Sequence, residues 1–166
     1  DTTYNGQDIS CNGAADAAIS VAVSGGTPAY AVIWSNASTA TTLTNLGPDT
    51  YVVSVTDAGG CTQVDSIEIT EPVLVTAAIG SQTNIGCLGD STGSVTIAAN
   101  GGTPNYTFDI GDGAGPVSSN TFNNLAAGSY TITVSDLNFC ETTVNVTITE
   151  PATTVTASAS VSSNFH

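Results

Sequence analysis

Two stretches of the chain are near-copies of each other, and this repetition limits the possible folds more than any other feature. The matches occur in the same order in both copies, at a spacing of about 76 to 79 residues. Such a period is typical of tandem arrays in which one small unit recurs along the chain. The matched pairs are 25–30 (GGTPAY) with 101–106 (GGTPNY), 51–57 (YVVSVTD) with 130–136 (YTITVSD), and 69–72 (ITEP) with 148–151 (ITEP).

This spacing divides the chain into three segments. We predict a first repeat at 1–72, whose leading strand is missing or truncated, a second repeat at 73–151, and the start of a third at 152–166. The third is indicated by residues 155–159 (VTASA), which resemble residues 75–79 (VTAAI). Two interpretations of the last segment stay open. It is the leading strand of a further repeat in a longer array, or a donor strand that fills the missing strand of a neighbouring molecule.

Within each repeat, apolar and polar residues alternate with a period of two. Residues 18–24, 51–56 and 64–70 show this pattern and are rich in Val, Ile, Thr and Tyr, as half-buried strands are. Gly-Gly dipeptides separate several of the segments, and no helical periodicity of useful length occurs. About six or seven short strands per repeat predict an all-β fold of tandem immunoglobulin-like β-sandwiches.

Four aromatic residues are predicted to be structural. Tyr51 and Tyr130 each follow a Leu and precede an alternating strand, which is the pattern of a tyrosine corner, where the hydroxyl bonds upstream backbone. Trp34 and Phe108 stand at matching places in the two copies and are predicted to pack in the cores.

The cysteines are predicted to supply one disulfide per repeat. A unit of about 78 residues buries a small core and is marginally stable alone. A disulfide that closes about 50 residues adds on the order of 4 kcal/mol in the chain-entropy model. Of the three pairings that four cysteines allow, we predict Cys11 with Cys61 and Cys87 with Cys140. Cystine-stapled small units indicate an oxidising, extracellular compartment.

The charge composition excludes several functions. The chain has no Lys or Arg and 14 acidic residues, for a net charge of −14. Nothing neutralises phosphates, so neither nucleic acid nor an anionic membrane surface is an expected partner. No apolar run of about 18 residues indicates membrane insertion. The only His is His166, so a nucleophile has no neighbouring base, and we predict that the chain is not an enzyme.

No cofactor is required, and calcium is the one candidate ion. Calcium prefers carboxylate and carbonyl oxygens. In a head-to-tail array, Glu71 could meet Asp136 across the joint between repeats, where Pro72 and Pro151 stiffen the exits. The alternative is an acidic surface that is simply solvated. The four candidate ligands are Asp57, Glu71, Asp136 and Glu150.

The order of these motifs resembles a known family. A Cys and Gly-rich loop, an alternating strand, Gly-Gly-Thr-Pro-x-Tyr, Asn-Leu, Tyr-x-Val-x-Val-x-Asp, a second Cys and Ile-Thr-Glu-Pro are similar to the SprB repeat of giant Bacteroidota surface proteins. Residues 108–113 (FDIGDG) also resemble a turn of polycystic-kidney-disease domains. The SprB resemblance implies type IX secretion, an outer-surface location, flexible filaments, gliding-type adhesion and no catalytic residues. It also suggests Asp-Ser/Thr-x glycosylation at Thr2, Ser66 and Ser91.

We therefore predict a non-catalytic structural or adhesive segment of a long bacterial cell-surface filament. One alternative is a subunit of an extracellular fibre that assembles by donor-strand exchange through residues 152–166. Another is a calcium- or carbohydrate-binding accessory module. The expected partners are neighbouring repeats of the same chain or identical subunits end to end, with an external surface or glycan that the sequence does not identify.

Overall fold

The computed structural model describes residue 4 and residues 6–160, and this part of the chain is all-β. Its regular elements are all strands. The described residues therefore contain no helix that is long and apolar enough to cross a membrane. The strands are β1 (Ala17–Ser20), β2 (Ala31–Trp34), β3 (Thr42–Leu46), β4 (Asp49–Thr56), β5 (Thr62–Ile69), β6 (Thr76–Thr83), β7 (Gly93–Asn100), β8 (Thr107–Asp109), β9 (Thr121–Leu125), β10 (Gly128–Ser135) and β11 (Glu141–Ile148).

The strands form two sheets in each repeat, in the same order. The first repeat has the sheets β1-β3 and β2-β4-β5, and the second has β6-β7-β9 and β8-β10-β11. The chain spacing makes β1 to β5 equivalent to β7 to β11, and equivalent strands pair in equivalent ways. For example, Ala17 faces Leu46 and Gly93 faces Leu125. The prediction of tandem immunoglobulin-like sandwiches is confirmed.

The core of the first repeat lies between its two sheets. On β1, Ala17 and Ile19 are buried while their neighbours are exposed, because a strand places alternate side chains on opposite faces. These side chains belong to one buried cluster with Val32, Trp34 and Val53 from the other sheet. The alternation seen in the sequence is therefore what closes this sandwich.

The chain divides into two compact units that do not coincide with the sequence repeats. One unit is built from Asp1–Thr76, Ala99–Thr107 and Val134–Thr142, and the other from Ala77–Ala98, Phe108–Thr133 and Thr143–His166. Three short segments of the second repeat, 73–76, 99–107 and 134–142, thus belong to the unit that contains the first repeat. The predicted segment boundaries describe the sequence period and stay a prediction.

The predicted disulfide pairing is wrong. The structure joins Cys11 to Cys140 and leaves Cys61 and Cys87 unpaired and exposed. The reason is strand length. The Cys11 loop is tied to the far end of β5, where Asp8 N donates to Thr70 O, whereas Cys61 directly precedes this strand of 8 residues. At about 3.3 Å per residue, the strand alone separates its two ends by about 23 Å, whereas a disulfide needs Cα atoms about 4.4–6.8 Å apart.

Candidate functional site: the disulfide junction

The candidate site is the place where the Cys11 loop meets the turn at 136–140, both within the unit that holds the first repeat. The Cα atoms of Cys11 and Cys140 lie 5.5 Å apart. Beside the disulfide, Asn138 Nδ2 donates to Ser10 O at 3.3 Å and to Thr103 Oγ1 at 3.0 Å. A covalent bond and a small polar network therefore tie the start of one repeat to the turn of the next.

Asp136 builds the turn that carries Cys140. Its Oδ1 accepts hydrogen bonds from the backbone N–H groups of Asn138 and Cys140, both at 2.9 Å, and its Oδ2 accepts one from Thr103 N at 2.7 Å. The side chain is only 3% exposed. In a chain without Lys or Arg, three aligned backbone N–H groups take the place of a cationic partner for this carboxylate.

The Gly-Gly-Thr-Pro turn fits against the segment that connects the repeats. Gly101 and Gly102 have φ angles of 76° and 57°, in the left-handed region that favours glycine. A Cβ on Gly101 would collide with Leu74 O, and one on Gly102 would collide with Val75 Cγ2 and Asp136 Oδ2. Because neither residue has a Cβ, Gly102 N reaches Val73 O at 2.7 Å. The two glycines thus allow the connecting segment to pack on this turn.

Glu71 holds the other half of the junction. Gly13 N donates to Glu71 Oε2 at 2.5 Å, and Asn12 Nδ2 donates to Pro72 O at 3.0 Å. Nearby, Asp8 Oδ2 accepts hydrogen bonds from Thr70 N and Thr70 Oγ1, which lower the pKa of Asp8. The Cys11 loop is consequently fixed to the exit of β5, directly before the connecting segment.

The unpaired Cys61 lies in a turn built like that of Cys140. Asp57 Oδ1 accepts from Cys61 N at 2.8 Å, and Asp57 Oδ2 accepts from Thr27 N at 2.9 Å. These backbone donors, Thr27 first, lower the pKa of Asp57. Tyr30 OH also closes its Gly-Gly turn by donating to Gly25 O at 2.7 Å. The first repeat therefore presents the same turn as the second, but without a cysteine partner.

The unpaired Cys87 lies in a loop built like that of Cys11. Gly89 N donates to Glu150 Oε2 at 2.7 Å, as Gly13 N does to Glu71. Asp90 N donates to Cys87 O at 3.2 Å, as Ala14 N does to Cys11 O. Each repeat thus carries both halves of a junction, one at its Glu-held loop and one at its Asp-held turn.

An open groove runs along β1 in the first repeat. In the second repeat β6 covers the equivalent strand β7, whereas no strand among the described residues pairs with that edge of β1. Ile67 is 46% exposed, while Val146, its counterpart on β11, is 1% exposed. Two adjoining cavities form this groove: one of about 340 Å³ is lined by residues of β1, and one of about 370 Å³ is lined by the residues that follow the strand, 21–26. Residues that line them include Val21, Ala22, Val53, Val55, Cys61 and Ile67.

The predicted aromatic residues lie in the sandwiches. Tyr51 OH donates to Gly47 O at 3.2 Å and Tyr130 OH to Ala126 O at 2.9 Å, which is the hydrogen bond of a tyrosine corner. Trp34 and Phe108 are buried, and Trp34 Nε1 donates to Ala40 O. These side chains stabilise the repeats and are separate from the junction.

The acidic residues predicted to bind calcium are all engaged by backbone. Glu71 and Glu150 hold loops, and Asp57 and Asp136 hold turns, each by accepting N–H hydrogen bonds. The structure gives Glu71 and Asp136 different partners. Within residues 4 and 6–160, no group of three or more His, Cys, Asp and Glu side chains is arranged to hold a metal ion. Calcium binding at these residues stays a prediction.

Two of the three candidate glycosylation positions fall in the described residues. Ser66 lies on β5 and Ser91 in the segment before β7, and both are exposed. Thr2, like His166, lies outside the described residues. Glycosylation stays a prediction at all three.

Sequence reasoning missed the work that the acidic side chains do in the junction. The signal was present: an Asp stands four residues before each turn cysteine, and a Glu precedes each exit proline. In a chain without Lys or Arg, a recurring acid at a turn or loop most often accepts backbone N–H groups. That rule identifies Asp57, Asp136, Glu71 and Glu150 as structural acceptors.

The fold and the junction define a class: proteins made of immunoglobulin-like β-sandwiches in tandem, here joined by a disulfide that connects one repeat to the next. Residues 3–39 and 79–115 match the family model of the SprB repeat. The resemblance to the SprB repeat that the sequence predicted is therefore confirmed at an equivalent region of each repeat.

Two solved structures are similar to the chain. One is an amphioxus IgVJ-C2 molecule, 17% identical, with 80% of this chain and 94% of that chain covered and a TM-score of 0.37. The other is the C-terminal 282-residue fragment of intimin in complex with the intimin-binding domain of the translocated intimin receptor. It is 20% identical, with 79% of this chain and 56% of that chain covered and a TM-score of 0.41. No curated protein matches the chain.

Proposed function

We propose that this chain is a non-catalytic structural and adhesive segment of a long filament on the bacterial cell surface. The observation that supports it most strongly is the junction. The turn at 136–140 of the second repeat belongs to the same compact unit as the first repeat, and the Cys11–Cys140 disulfide joins them. Such a joint transmits tension between repeats through a covalent bond as well as through the peptide linker. That property suits a filament more than it suits a ligand-binding pocket.

The charge distribution agrees with an extended extracellular role. A chain with no Lys or Arg and a net charge of −14 repels copies of itself along its surface. Side-by-side association of filaments is thereby disfavoured, while the open groove along β1 and the junction loops remain available for contacts in series. The acidic surface also discourages binding to anionic lipids and nucleic acid.

Surface labelling of intact cells tests this proposal. Antibodies raised against the chain should label filaments outside unpermeabilised cells that produce the full-length protein, and cells without a functional type IX secretion system should lose the label. Label that appears only after permeabilisation, in otherwise healthy cells, would reject the surface role. Retention of surface label without type IX secretion would reject only the export route.

A second candidate, assembly by donor-strand exchange, is favoured by the open groove. We propose that residues 152–160 of one molecule seat beside β1 of another, in the place that β6 takes beside β7. Residues 152–160 are exposed and carry no strand, and Val155 is 98% exposed although its sequence counterpart Val75 is 5% exposed. Seating the segment would bury Val155 and cover Ile67.

Deleting residues 152–166 tests strand exchange in a single step. Sedimentation of the reduced protein should show oligomers for the full chain and monomers for the deletion variant, because reductant removes covalent links. A Val155→Asp variant, which keeps the full length of the chain but would place a charge in the groove, serves as the matched control and should also be monomeric. Oligomers that persist in both variants would reject the exchange mechanism.

A further inference from the structure

We propose that Cys61 and Cys87 are the two halves of a second inter-repeat disulfide, which forms between successive copies of this chain on the pattern of Cys11–Cys140. Cys87 of one copy would bond Cys61 of the next. The inference rests on the proposed function in one respect: it assumes that the repeats are arranged end to end, as in a filament.

The first support is that Cys61 already stands in the geometry of a bonded cysteine. Cys61 N is held by Asp57 Oδ1 at 2.8 Å, and Cys140 N by Asp136 Oδ1 at 2.9 Å. In both turns the Asp N–H also returns a hydrogen bond to the cysteine carbonyl, at 2.9 and 3.0 Å. The turn that presents Cys140 to its partner is therefore preformed at Cys61, where it presents an exposed thiol.

The second support is the matching preparation of Cys87. Its loop is fastened by Gly89 to Glu150, as the Cys11 loop is fastened by Gly13 to Glu71. In each copy a proline follows the Glu, and a connecting segment follows the proline. The cysteine loop, the Glu that holds it and the connecting segment are therefore linked to one another. Where the connecting segment binds, the cysteine loop is brought to the same place.

The third support is where such a segment would dock. Within the unit that holds the first repeat, the segment after Glu71 packs on the Gly101–Gly102 turn, and Cys11 reaches Cys140 beside it. At Gly25, in the equivalent turn, an added Cβ would meet no atom within 4 Å, so no described residue covers this position. The groove along β1 includes Gly25 and Cys61. Residues 152–160 of another copy would fill this groove and bring their Cys87 loop to Cys61.

The occupant is a second copy of this chain, because such a copy supplies both parts. The connecting segment after Pro151 supplies the strand, and the loop held by Glu150 supplies the thiol. A small thiol would react with Cys61 but would not fill the groove, and an unrelated strand would fill the groove but would bring no thiol in register. The pairing is heterologous, Cys87 to Cys61, and so extends into a chain of copies rather than closing a symmetric dimer.

The chemistry is thiol–disulfide exchange with an extracellular disulfide, such as oxidised glutathione or a disulfide oxidoreductase. The deprotonated thiolate of Cys87 attacks the oxidant, forming a mixed disulfide and releasing one thiolate. The thiolate of Cys61 then attacks the cysteine sulfur of that mixed disulfide and releases the second. Two protons and two electrons leave the cysteines in total, and the oxidant becomes two thiols.

Complementary single variants of the full chain test the pairing. In a glutathione redox buffer, the unchanged chain should form a ladder of covalent multimers on a non-reducing gel. Neither Cys61→Ser nor Cys87→Ser alone should cross-link, because each lacks one half of the bond. Their mixture should give a covalent dimer and nothing longer, since only one productive pair remains.

Peptide mapping then identifies the bond. Trypsin has no sites in a chain without Lys or Arg, but cleavage after Asp and Glu places each of the four cysteines on its own peptide. Mixing ¹⁵N-labelled and unlabelled chains should show Cys61–Cys87 linkage between differently labelled copies. Covalent dimers of either single variant alone, or a mixture that gives no dimer, would overturn the proposal.

The Cys11–Cys140 peptide separates the two ways of failing. If this peptide is present in every variant while the Cys61–Cys87 linkage is absent, the intercopy bond is rejected and the proposed filament stands. If the Cys11–Cys140 peptide is itself absent, the junction that supports the proposed function is rejected. Its presence also shows that each variant has folded.

Discussion

Asp57 and Asp136 occupy equivalent turns of the two repeats, and they differ in how deeply the side chain is buried. Asp136 is 3% exposed and holds three backbone N–H groups, whereas the side-chain oxygens of Asp57 hold Thr27 N and Cys61 N in an exposed turn. A buried N–H that loses its acceptor costs about 1–3 kcal/mol, while an exposed one finds water. The junction therefore depends on Asp136 more than the free turn depends on Asp57.

The first prediction follows from that difference. Asp136→Ala should lower the free energy of unfolding by about 2–4 kcal/mol, because buried donors lose their acceptor. Asp57→Ala, the matched control, should lower it clearly less, because water replaces the carboxylate at the exposed donors. Urea titration followed by tryptophan fluorescence of Trp34 measures both. Equal effects from the two substitutions would contradict the role given to burial.

The second prediction concerns acid. The pKa values of Asp8 and Asp57 are lowered below the ordinary value of 3.8, chiefly by backbone hydrogen bonds from Thr70 and Thr27 respectively. The unfolded chain therefore takes up these protons first as the pH falls. The stabilisation is complete above pH 3.8 and is lost as the pH falls through the lower folded-state values.

The Asp8→Asn substitution should make the free energy of unfolding depend less steeply on pH in the acid range. Urea midpoints measured from pH 6 down to about pH 2 should fall less steeply for the variant than for the unchanged chain, because one group no longer titrates. Asp16→Asn provides a control at another carboxylate near the same loop. If the stability of Asp8→Asn fell more steeply with acid than that of the unchanged chain, the direction predicted for the contribution of Asp8 would be wrong.

At the scale of elements, equivalent strands carry different residues where their surroundings differ. Ala17 on β1 and Gly93 on β7 occupy equivalent positions, each facing a Leu on the partner strand. A Cβ on Gly93 would lie 2.6 Å from Ile148 Cγ2 and 2.8 Å from Leu125 O. The second sandwich has closed more tightly at this point, so its strand requires glycine where the first accepts alanine.

The third prediction uses this contrast. Gly93→Ala should destabilise the chain by about 1–3 kcal/mol through overpacking, although alanine is ordinarily the better residue in a strand. Ala17→Gly should also destabilise it, by roughly 1 kcal/mol, through the ordinary propensity and a lost methyl contact. Thermal unfolding measures both variants. A Gly93→Ala chain that melts at a higher temperature would refute the close packing at β7.

The elements were predictable from the sequence because they depend on local periodicity, and the junction was not. Alternation at Val53 and Val55 specifies a strand, and the Tyr51 pattern specifies a corner; both features depend only on neighbouring residues. The cysteine partners depend on which end of β5 the Cys11 loop approaches. That end follows from hydrogen bonds that Asp8 and Glu71 make to residues about 60 positions away. The sequence prediction placed one disulfide within each repeat, but the length of β5 keeps Cys61 away from the Cys11 loop.

At the scale of the whole molecule, the two pairs of cysteines should contribute differently to stability. The Cys11–Cys140 bond spans 129 residues in sequence. In the chain-entropy model a loop of that size contributes about 4–5 kcal/mol, because the cross-link restricts the unfolded chain. Cys61 and Cys87 are unpaired in a single copy and should contribute little there.

The fourth prediction compares paired double variants at concentrations where the chain is monomeric. Cys11→Ser with Cys140→Ser should shift the urea midpoint down sharply, and the shift should match that produced in the unchanged chain by a reducing agent. Cys61→Ser with Cys87→Ser should leave the midpoint close to that of the oxidised chain and should keep its sensitivity to reductant. The reverse result, with reductant sensitivity lost in the second variant, would mean that the stabilising disulfide uses Cys61 or Cys87.

Since a joint between repeats is useful only if it holds under load, the same pair of variants should also differ when the chain is pulled from its ends. The oxidised chain that lacks Cys61 and Cys87 should resist extension of residues 11–140 until the disulfide is reduced, because the cross-link shields the enclosed residues from the applied force. The variant that lacks Cys11 and Cys140 should extend through that region at once. Single-molecule force spectroscopy measures the released length, and equal extension of the two oxidised variants would contradict a force-bearing junction.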